Sequence, residues 1–121
     1  MSQRAAIAAL SGNFECVSEM RQSFIRRRDL ALEIISSWPG VVCPKPDGAF
    51  YLFPSFAAYL GGECKDSGEL CEKILEEAEV ALVPGTAFGQ DDCIRFSYAV
   101  ADDVLTNGLA RVGKVLEGVE K

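Results

Sequence analysis

One apolar stripe, running from about residue 14 to residue 37, limits what this chain can fold into more than any other feature. Apolar side chains recur along it at steps of three, four and seven residues, which is the spacing of one face of an α-helix. The residues of the stripe are Val17, Met20, Phe24, Ala31 and Ile35. It ends where Trp38, Pro39 and Gly40 follow one another. The sequence therefore predicts one long helix with an apolar side that needs a packing partner.

Short strand-like segments and two further helical patterns follow this helix. Residues 49–53 are aromatic and apolar throughout, which predicts a strand covered on both faces. Apolar segments at 80–83 and 93–98 predict two more strands. Helical spacing predicts a helix capped by Ser67 and a closing helix at 102–117. The inward side chains of the closing helix are expected to be Leu105, Leu109, Val112 and Leu116. We therefore predict an α+β layer, a small sheet with helices packed on one side.

The composition argues against several kinds of site and partner. The net charge of −6 argues against a nucleic-acid-binding surface, and we expect Arg26, Arg27 and Arg28 to form a solvated helix face. The sequence has no histidine, and its five cysteines show no Cys-x-x-Cys spacing, so we predict no metal site. No apolar run approaches the roughly 20 residues that span a bilayer, so we predict no membrane partner. We expect an intracellular, cytoplasmic location, although a targeting segment of a longer parent would lie outside this sequence.

Arg95 is the side chain that carries the most chemical information. Strand alternation places Arg95 on the face opposite to Ile94 and Phe96, within an otherwise apolar strand. A planar guanidinium group matches a carboxylate through two parallel hydrogen bonds. From the pattern alone, the favoured alternative is an arginine on an edge strand that reaches solvent. No residue has the partners of a hydrolytic triad, so the pattern assigns no catalytic residue.

Several segments, in one order, resemble the C-terminal third of the class I aminotransferases, the fold-type I enzymes that use pyridoxal 5'-phosphate. The segments are residues 3–10, Arg26-Arg27-Arg28-Asp29, Asp47-Gly48-Ala49-Phe50-Tyr51, Val83-Pro84-Gly85 with Phe88-Gly89, and Ile94-Arg95-Phe96-Ser97-Tyr98-Ala99. The resemblance covers essentially the whole chain and implies an α+β small domain of this α/β fold family, preceded by a long interdomain helix. On this basis we expect residues 1–12 to be the tail of a large cofactor-binding domain, 13–40 the interdomain helix and 41–121 the small domain.

The resemblance also implies roles for particular residues. In the family, the arginine at the position of Arg95 holds the substrate α-carboxylate, and Gly48, Ala49 and Phe50 are expected to line the cleft. No catalytic and no cofactor-binding residue is carried over, because the family's Schiff-base lysine and most cofactor contacts lie upstream of the matching region. We therefore expect pyridoxal phosphate in the full-length enzyme and no specific cofactor binding by this chain. The lysines outside the family motif are Lys45, Lys65, Lys73, Lys114 and Lys121.

The resemblance implies that this chain is a C-terminal fragment of an aspartate aminotransferase-like enzyme. The fragment is expected to contribute carboxylate binding and domain closure, and to be inactive alone. The complete enzyme, expected to be a homodimer, would transfer an amino group between an amino acid and a 2-oxo acid. Alanine, aromatic and prephenate aminotransferases are alternatives for the substrate. A free-standing binding or regulatory module with the same fold is the alternative from another class. In the isolated chain we expect residues 3–10 and the inner stripe of the long helix to stay exposed.

Overall fold

The computed structural model describes residues 1–120. These residues form four α-helices and three short strands, joined by loops. In chain order they are α1 (Ser2–Ser11), α2 (Glu15–Ser36), β1 (Tyr51–Leu52), α3 (Ser67–Ala78), β2 (Val83–Pro84), β3 (Ile94–Ser97) and α4 (Asp102–Gly118). Two short 3-10 helices, Ala57–Tyr59 and Gly85–Phe88, lie before α3 and after β2. The predicted α+β class, with a long helix before a small sheet, is confirmed.

The sheet is antiparallel, and β3 is its middle strand. Leu52 of β1 pairs with Phe96, and Val83 of β2 pairs with Arg95. Side chains alternate along β3, so that Ile94 and Phe96 are buried while Arg95 between them is only partly buried. Arg95 thus lies on a central strand, and the alternative of an edge-strand arginine is wrong.

The first strand is shorter and less covered than the pattern of residues 49–53 predicted. Only Tyr51–Leu52 forms a strand, in which Leu52 is buried while Tyr51 and its neighbour Phe50 are exposed. Ala49 has a φ of +65°, which turns the backbone out of the extended region just before the strand. The prediction of cover on both faces was wrong because the core lies only on the Leu52 side.

The core lies between the inner face of the sheet and the helices α2, α3 and α4. Phe56 stacks on Phe96 with ring centroids 5.9 Å apart, and Trp38 lies 6.0 Å from Phe96. α2 contributes Ala31 and Ile35 from its C-terminal half. The predicted inner side of α4 is confirmed, since all of its members are buried: Leu105, Leu109, Val112 and Leu116. Burial of each large apolar side chain stabilises the fold by roughly 1.5–3 kcal/mol, which fixes the inner face of β3 against the helices.

The N-terminal half of the long apolar stripe has no cover. No residue of α1 is buried, and Phe14, Val17 and Met20 remain 58%, 49% and 54% exposed. Together with Ile7 and Leu10 of α1, these three side chains are called the N-terminal apolar patch below. The exposure of residues 3–10 agrees with what we expected of the isolated chain. The expectation that the inner stripe of the long helix stays exposed is wrong for its C-terminal half, because Ala31 and Ile35 are buried in the core.

The arginine cluster on α2 is only in part the solvated face that was predicted, because the side chain of Arg26 is 61% exposed while those of Arg27 and Arg28 are 24% and 17% exposed. Arg26 and Arg27 both pair with Asp102 in the first turn of α4, and Arg28 pairs with Asp29. The carboxylate of Asp102 is attracted both by these guanidinium groups and by the positive end of its own helix. Arg26 and Arg27 therefore tie α2 to α4.

The cap of α3 also differs from the prediction. The side chain of Asp66, not that of Ser67, accepts hydrogen bonds from the N–H groups of Gly68 and Glu69 at the start of the helix. Ser67 is fully buried, and its hydroxyl oxygen accepts a hydrogen bond from the N–H of Gly85 at 3.2 Å. Ser67 therefore connects α3 to the turn that follows β2.

Candidate functional site

The side chain of Arg95 leaves β3 on the face opposite to the core and lies against two aromatic rings. Its guanidinium carbon is 5.0 Å from the centroid of the Phe88 ring and 5.7 Å from that of Tyr51. Cation–π contacts of this length hold a cation in place without using its N–H donors. The guanidinium group is therefore positioned while its hydrogen-bonding groups stay available to a ligand.

A small open pocket lies beside this arginine. It has a volume of about 140 Å³ and is lined by Tyr51, Phe53, Phe88 and Arg95. Phe53 and Phe88 meet edge to face with their centroids 5.7 Å apart. Among residues 1–120, no carboxylate forms an ion pair with Arg95. The guanidinium group of Arg95 keeps its positive charge beside these apolar rings. Because a charge next to apolar surface is stabilised by an opposite charge, this pocket favours an anionic ligand.

The aromatic walls of this pocket were missed by the sequence analysis. Tyr51 and Phe53 are two residues apart, so the alternation of a strand could have placed both on one face. The prediction of a strand covered on both faces hid that signal. Phe88 belongs to one of the family segments, but no local pattern placed its ring beside Arg95, because it reaches Arg95 only through the 3-10 turn after β2.

The predicted cleft residues Gly48, Ala49 and Phe50 do not line the pocket beside the arginine. Gly48 and Ala49 line a separate pocket of about 150 Å³ next to Tyr98. Phe50 meets Tyr51 edge to face at 5.9 Å, and Tyr51 is one of the two rings against the guanidinium group. The structure thus brings one of the three predicted cleft residues into contact with the walls of the arginine site.

Gly85 lets the chain pass very close to two carbonyl groups. Its N–H donates to the carbonyl oxygen of Cys93 at 2.7 Å. A Cβ atom on Gly85 would lie 2.0 Å from the carbonyl oxygen of Gln90 and 2.4 Å from that of Cys93. No side chain fits there, so the turn that places Phe88 against Arg95 depends on glycine.

Comparison with known proteins places this arrangement in a family. Residues 1–112 match the family of class I and II aminotransferases. The chain belongs to this family. The aspartate aminotransferase of Streptomyces avermitilis is 47% identical to it over 116 residues, which cover 92% of this chain. A probable aspartate/prephenate aminotransferase of Aquifex aeolicus is 46% identical and covers 98% of the chain.

Solved aminotransferase structures share the fold of this chain. The aspartate aminotransferase of Rhizobium meliloti matches 98% of the chain with a TM-score of 0.93 and 36% identity. The aromatic aminotransferase of Pyrococcus horikoshii matches 96% with a TM-score of 0.87 and 37% identity. The chain spans 28% of the length of the Streptomyces relative and 31% of each of these two solved chains. The resemblance to aminotransferases is therefore confirmed, over about a third of the length of such an enzyme.

Membership of the aminotransferase family implies pyridoxal phosphate in the full-length enzymes, so the lysines of this chain can be tested for fit. A lysine that bonds to this cofactor must first lose its proton. Lys73 instead donates to the carboxylates of Glu63 and Glu77, each at 2.8 Å, and these hydrogen bonds raise the pKa of Lys73 above its usual range. Lys45 and Lys65 also form ion pairs with carboxylates, at 3.4 and 3.6 Å.

Of the two remaining lysines, Lys114 forms no ion pair within residues 1–120. Lys114 is exposed on α4, and Lys121 lies outside the described residues. The three ion-paired lysines therefore do not fit the cofactor-bonding role of an aminotransferase, and we derive no reaction step through the cofactor.

Among residues 1–120, no group of three or more His, Cys, Asp and Glu side chains is arranged to hold a metal ion. None of the helices formed by these residues is long and apolar enough to cross a membrane.

Proposed function

We propose that this chain is the part of an aspartate aminotransferase-like enzyme that binds the substrate α-carboxylate and closes over the substrate. The observation that carries the proposal is the Arg95 guanidinium group, which rests against Tyr51 and Phe88 and forms no ion pair with a carboxylate of residues 1–120. The complete enzyme would transfer an amino group between an amino acid and a 2-oxo acid.

Arg95 would bind the α-carboxylate through two parallel hydrogen bonds from its planar guanidinium group. The rings of Tyr51 and Phe88 would restrict that plane, and their apolar surface would keep water from competing for the same donors. Because the carboxylate is attached to the carbon at which the amino group is exchanged, holding it orients the reacting atom. We assign the cofactor chemistry, including the Schiff-base lysine, to the rest of the enzyme.

The N-terminal apolar patch supports the proposal that a larger enzyme surrounds this chain. Its five side chains remain between 49% and 73% exposed. An apolar surface of this kind is typical of an interface. We propose that residues 1–12 and the first half of the helix in 13–40 pack against the large cofactor-binding domain, while 41–121 form the small domain. We also propose that the complete enzyme is a cytoplasmic homodimer.

A chimera tests this function. The chain would replace the matching segment of the Streptomyces avermitilis aspartate aminotransferase, to which it is 47% identical. We expect the chimera to bind pyridoxal phosphate, as measured by absorbance, and to convert aspartate and 2-oxoglutarate. The isolated 121-residue chain should show neither turnover nor a single saturable cofactor site.

The host enzyme without the exchanged segment is the negative control, and the intact host is the positive control. Aspartate, alanine and aromatic amino acids would be tested as amino-group donors, and prephenate would be tested as an acceptor. This substrate panel would show which donor and which acceptor the chimera uses. A chimera that folds and binds the cofactor but converts nothing in this panel would contradict the proposal. That result would favour the alternative of a binding or regulatory module without catalysis.

A further inference from the structure

The side chain of Tyr98 makes a contact that the carboxylate site does not explain. Its hydroxyl group donates a hydrogen bond to the carbonyl oxygen of Ala49 at 3.0 Å. Its backbone N–H donates to the carbonyl oxygen of the next residue, Phe50, at 2.9 Å. Tyr98 is only 2% exposed. One buried residue therefore holds two consecutive carbonyl groups of the loop that leads into β1.

The residue that Tyr98 holds has an unfavourable backbone conformation. Ala49 has a φ of +65°, in the left-handed region that residues other than glycine rarely adopt. Such a conformation persists only where the surrounding structure holds it. The hydroxyl group of Tyr98 donates to the carbonyl oxygen of Ala49, in the peptide group that joins Ala49 to Phe50. Burial raises the pKa of Tyr98, so the hydroxyl group keeps its proton and remains a donor at neutral pH.

The same tyrosine connects this loop to the carboxylate site and to the long helix. Tyr98 follows directly after β3, three residues beyond Arg95. Its ring lies 6.2 Å from the ring of Phe24 on α2. Any displacement of the loop relative to the strand must therefore break the contacts of Tyr98.

We propose that Tyr98 is a positioning residue that keeps Ala49 in its left-handed conformation and so fixes the loop Gly48-Ala49-Phe50 against the strand that carries Arg95. We call the two hydrogen bonds from Tyr98 to the carbonyl oxygens of Ala49 and Phe50 the clip. The clip follows from the geometry of this chain alone. Its importance for substrate binding rests on the proposed function, in which this loop lines the cleft.

Amide hydrogen exchange, followed residue by residue by NMR on the 121-residue chain, tests the clip without any need for activity. Tyr98→Phe keeps the ring and removes the hydroxyl group. The amide of residue 98 is the probe, because its N–H donates to the carbonyl oxygen of Phe50 at 2.9 Å. We expect it to exchange about tenfold faster in this variant, while the amides in the middle of α4 keep their rates. Adding Ala49→Gly should restore slow exchange, because glycine adopts a positive φ without strain. Tyr59→Phe, which alters an equally buried tyrosine elsewhere, is the matched control and should leave the exchange of the Tyr98 amide unchanged.

The chimera described above supplies the functional readout. There Tyr98→Phe should raise KM for the amino acid more than it lowers kcat, and Ala49→Gly should reverse that change. Exchange in Tyr98→Phe that is unchanged, or that rises equally in α4, would overturn the clip. Faster exchange of the residue 98 amide with unchanged kinetics in an active chimera would overturn the positioning role. If the chimera itself is inactive, the proposed function fails, and the exchange result still decides the clip.

Discussion

Arg27, in the middle of α2, donates a hydrogen bond from Nε to Oδ1 of Asp102, in the first turn of α4. This bond, with help from Arg26, holds the pKa of Asp102 below its ordinary value of 3.8. A carboxyl group with a lowered pKa contributes stability above its unfolded pKa and loses that contribution as the pH falls through its folded pKa. The link between α2 and α4 should therefore weaken in acid.

The substitution Asp102→Asn tests this link, because it keeps the shape of the side chain and removes its charge. At pH 7 we expect Tm to fall by a few degrees, and we expect the difference from the parent to narrow as the pH drops below about 3.8 and then to disappear. Asp103→Asn changes the neighbouring acid in the same helical turn and controls for the helix dipole. An equal loss in both variants at pH 7 would show that Arg27 contributes nothing specific.

Replacing Arg95 by lysine in the chimera should separate charge from geometry. Arg95→Lys keeps a positive charge but loses the planar two-point contact with a carboxylate. We expect kcat/KM to fall at least about tenfold, which corresponds to roughly 1.4 kcal/mol of transition-state binding. Cofactor absorbance should change little. Arg111→Lys, on the exposed surface of α4, is the matched control. Normal turnover of Arg95→Lys would remove this residue from the site, and loss of cofactor absorbance would assign it to the fold.

Gly85→Ala should destabilise the chain strongly. The new methyl group would meet the carbonyl oxygens of Gln90 and Cys93 at 2.0 and 2.4 Å, so the backbone of the turn must move. We expect the free energy of unfolding in urea to fall by about 3 kcal/mol, because overpacking against backbone atoms is not relieved by a change of rotamer. Gly48→Ala is the control, since no atom of residues 1–120 outside its immediate chain neighbours lies within 4 Å of its added methyl group, and its effect should stay within about 0.5 kcal/mol. Similar effects of the two substitutions would contradict the close approach.

The N-terminal apolar patch should make the isolated chain associate. Leu10 and Met20 are 73% and 54% exposed, so Leu10→Gln with Met20→Gln should reduce association while leaving Tm nearly unchanged. Sedimentation velocity over a range of concentrations measures this effect. Val104→Gln changes an apolar residue of α4 with 56% exposure outside the patch and should leave association as in the parent. Association that persists in the double variant and disappears in the control variant would place the contact elsewhere.

The parts of this fold that sequence could predict are those with one buried side. Along α4, Leu105, Leu109, Val112 and Leu116 are buried among exposed residues, so the helical period remains visible. The alternation along β3 places Arg95 opposite its buried neighbours for the same reason. The apolar stripe of the long helix was also visible, and only the structure shows that its two halves differ in burial.

The parts that sequence could not predict depend on contacts between distant residues. Asp102 pairs with an arginine 75 positions earlier, and no local pattern records that distance. β2 begins at Val83 rather than at residue 80, because its bounds follow from pairing with β3. The positive φ of Ala49 is held by Tyr98, which lies 49 positions further along the chain. The candidate site combines both kinds of information, since Arg95 was visible in the pattern and the ring of Phe88 was not.

The outer strands of the sheet also influence how molecules of this chain can assemble. β1 and β2 contain two residues each, and the second residue of β2 is Pro84, which has no N–H group to donate. A cross-β fibril grows when a long, flat strand edge pairs with the backbone of another molecule. Neither outer strand provides such an edge, so this sheet resists templated fibril growth. Any assembly of the chain should therefore be reversible and helix-mediated, and should not bind amyloid dyes.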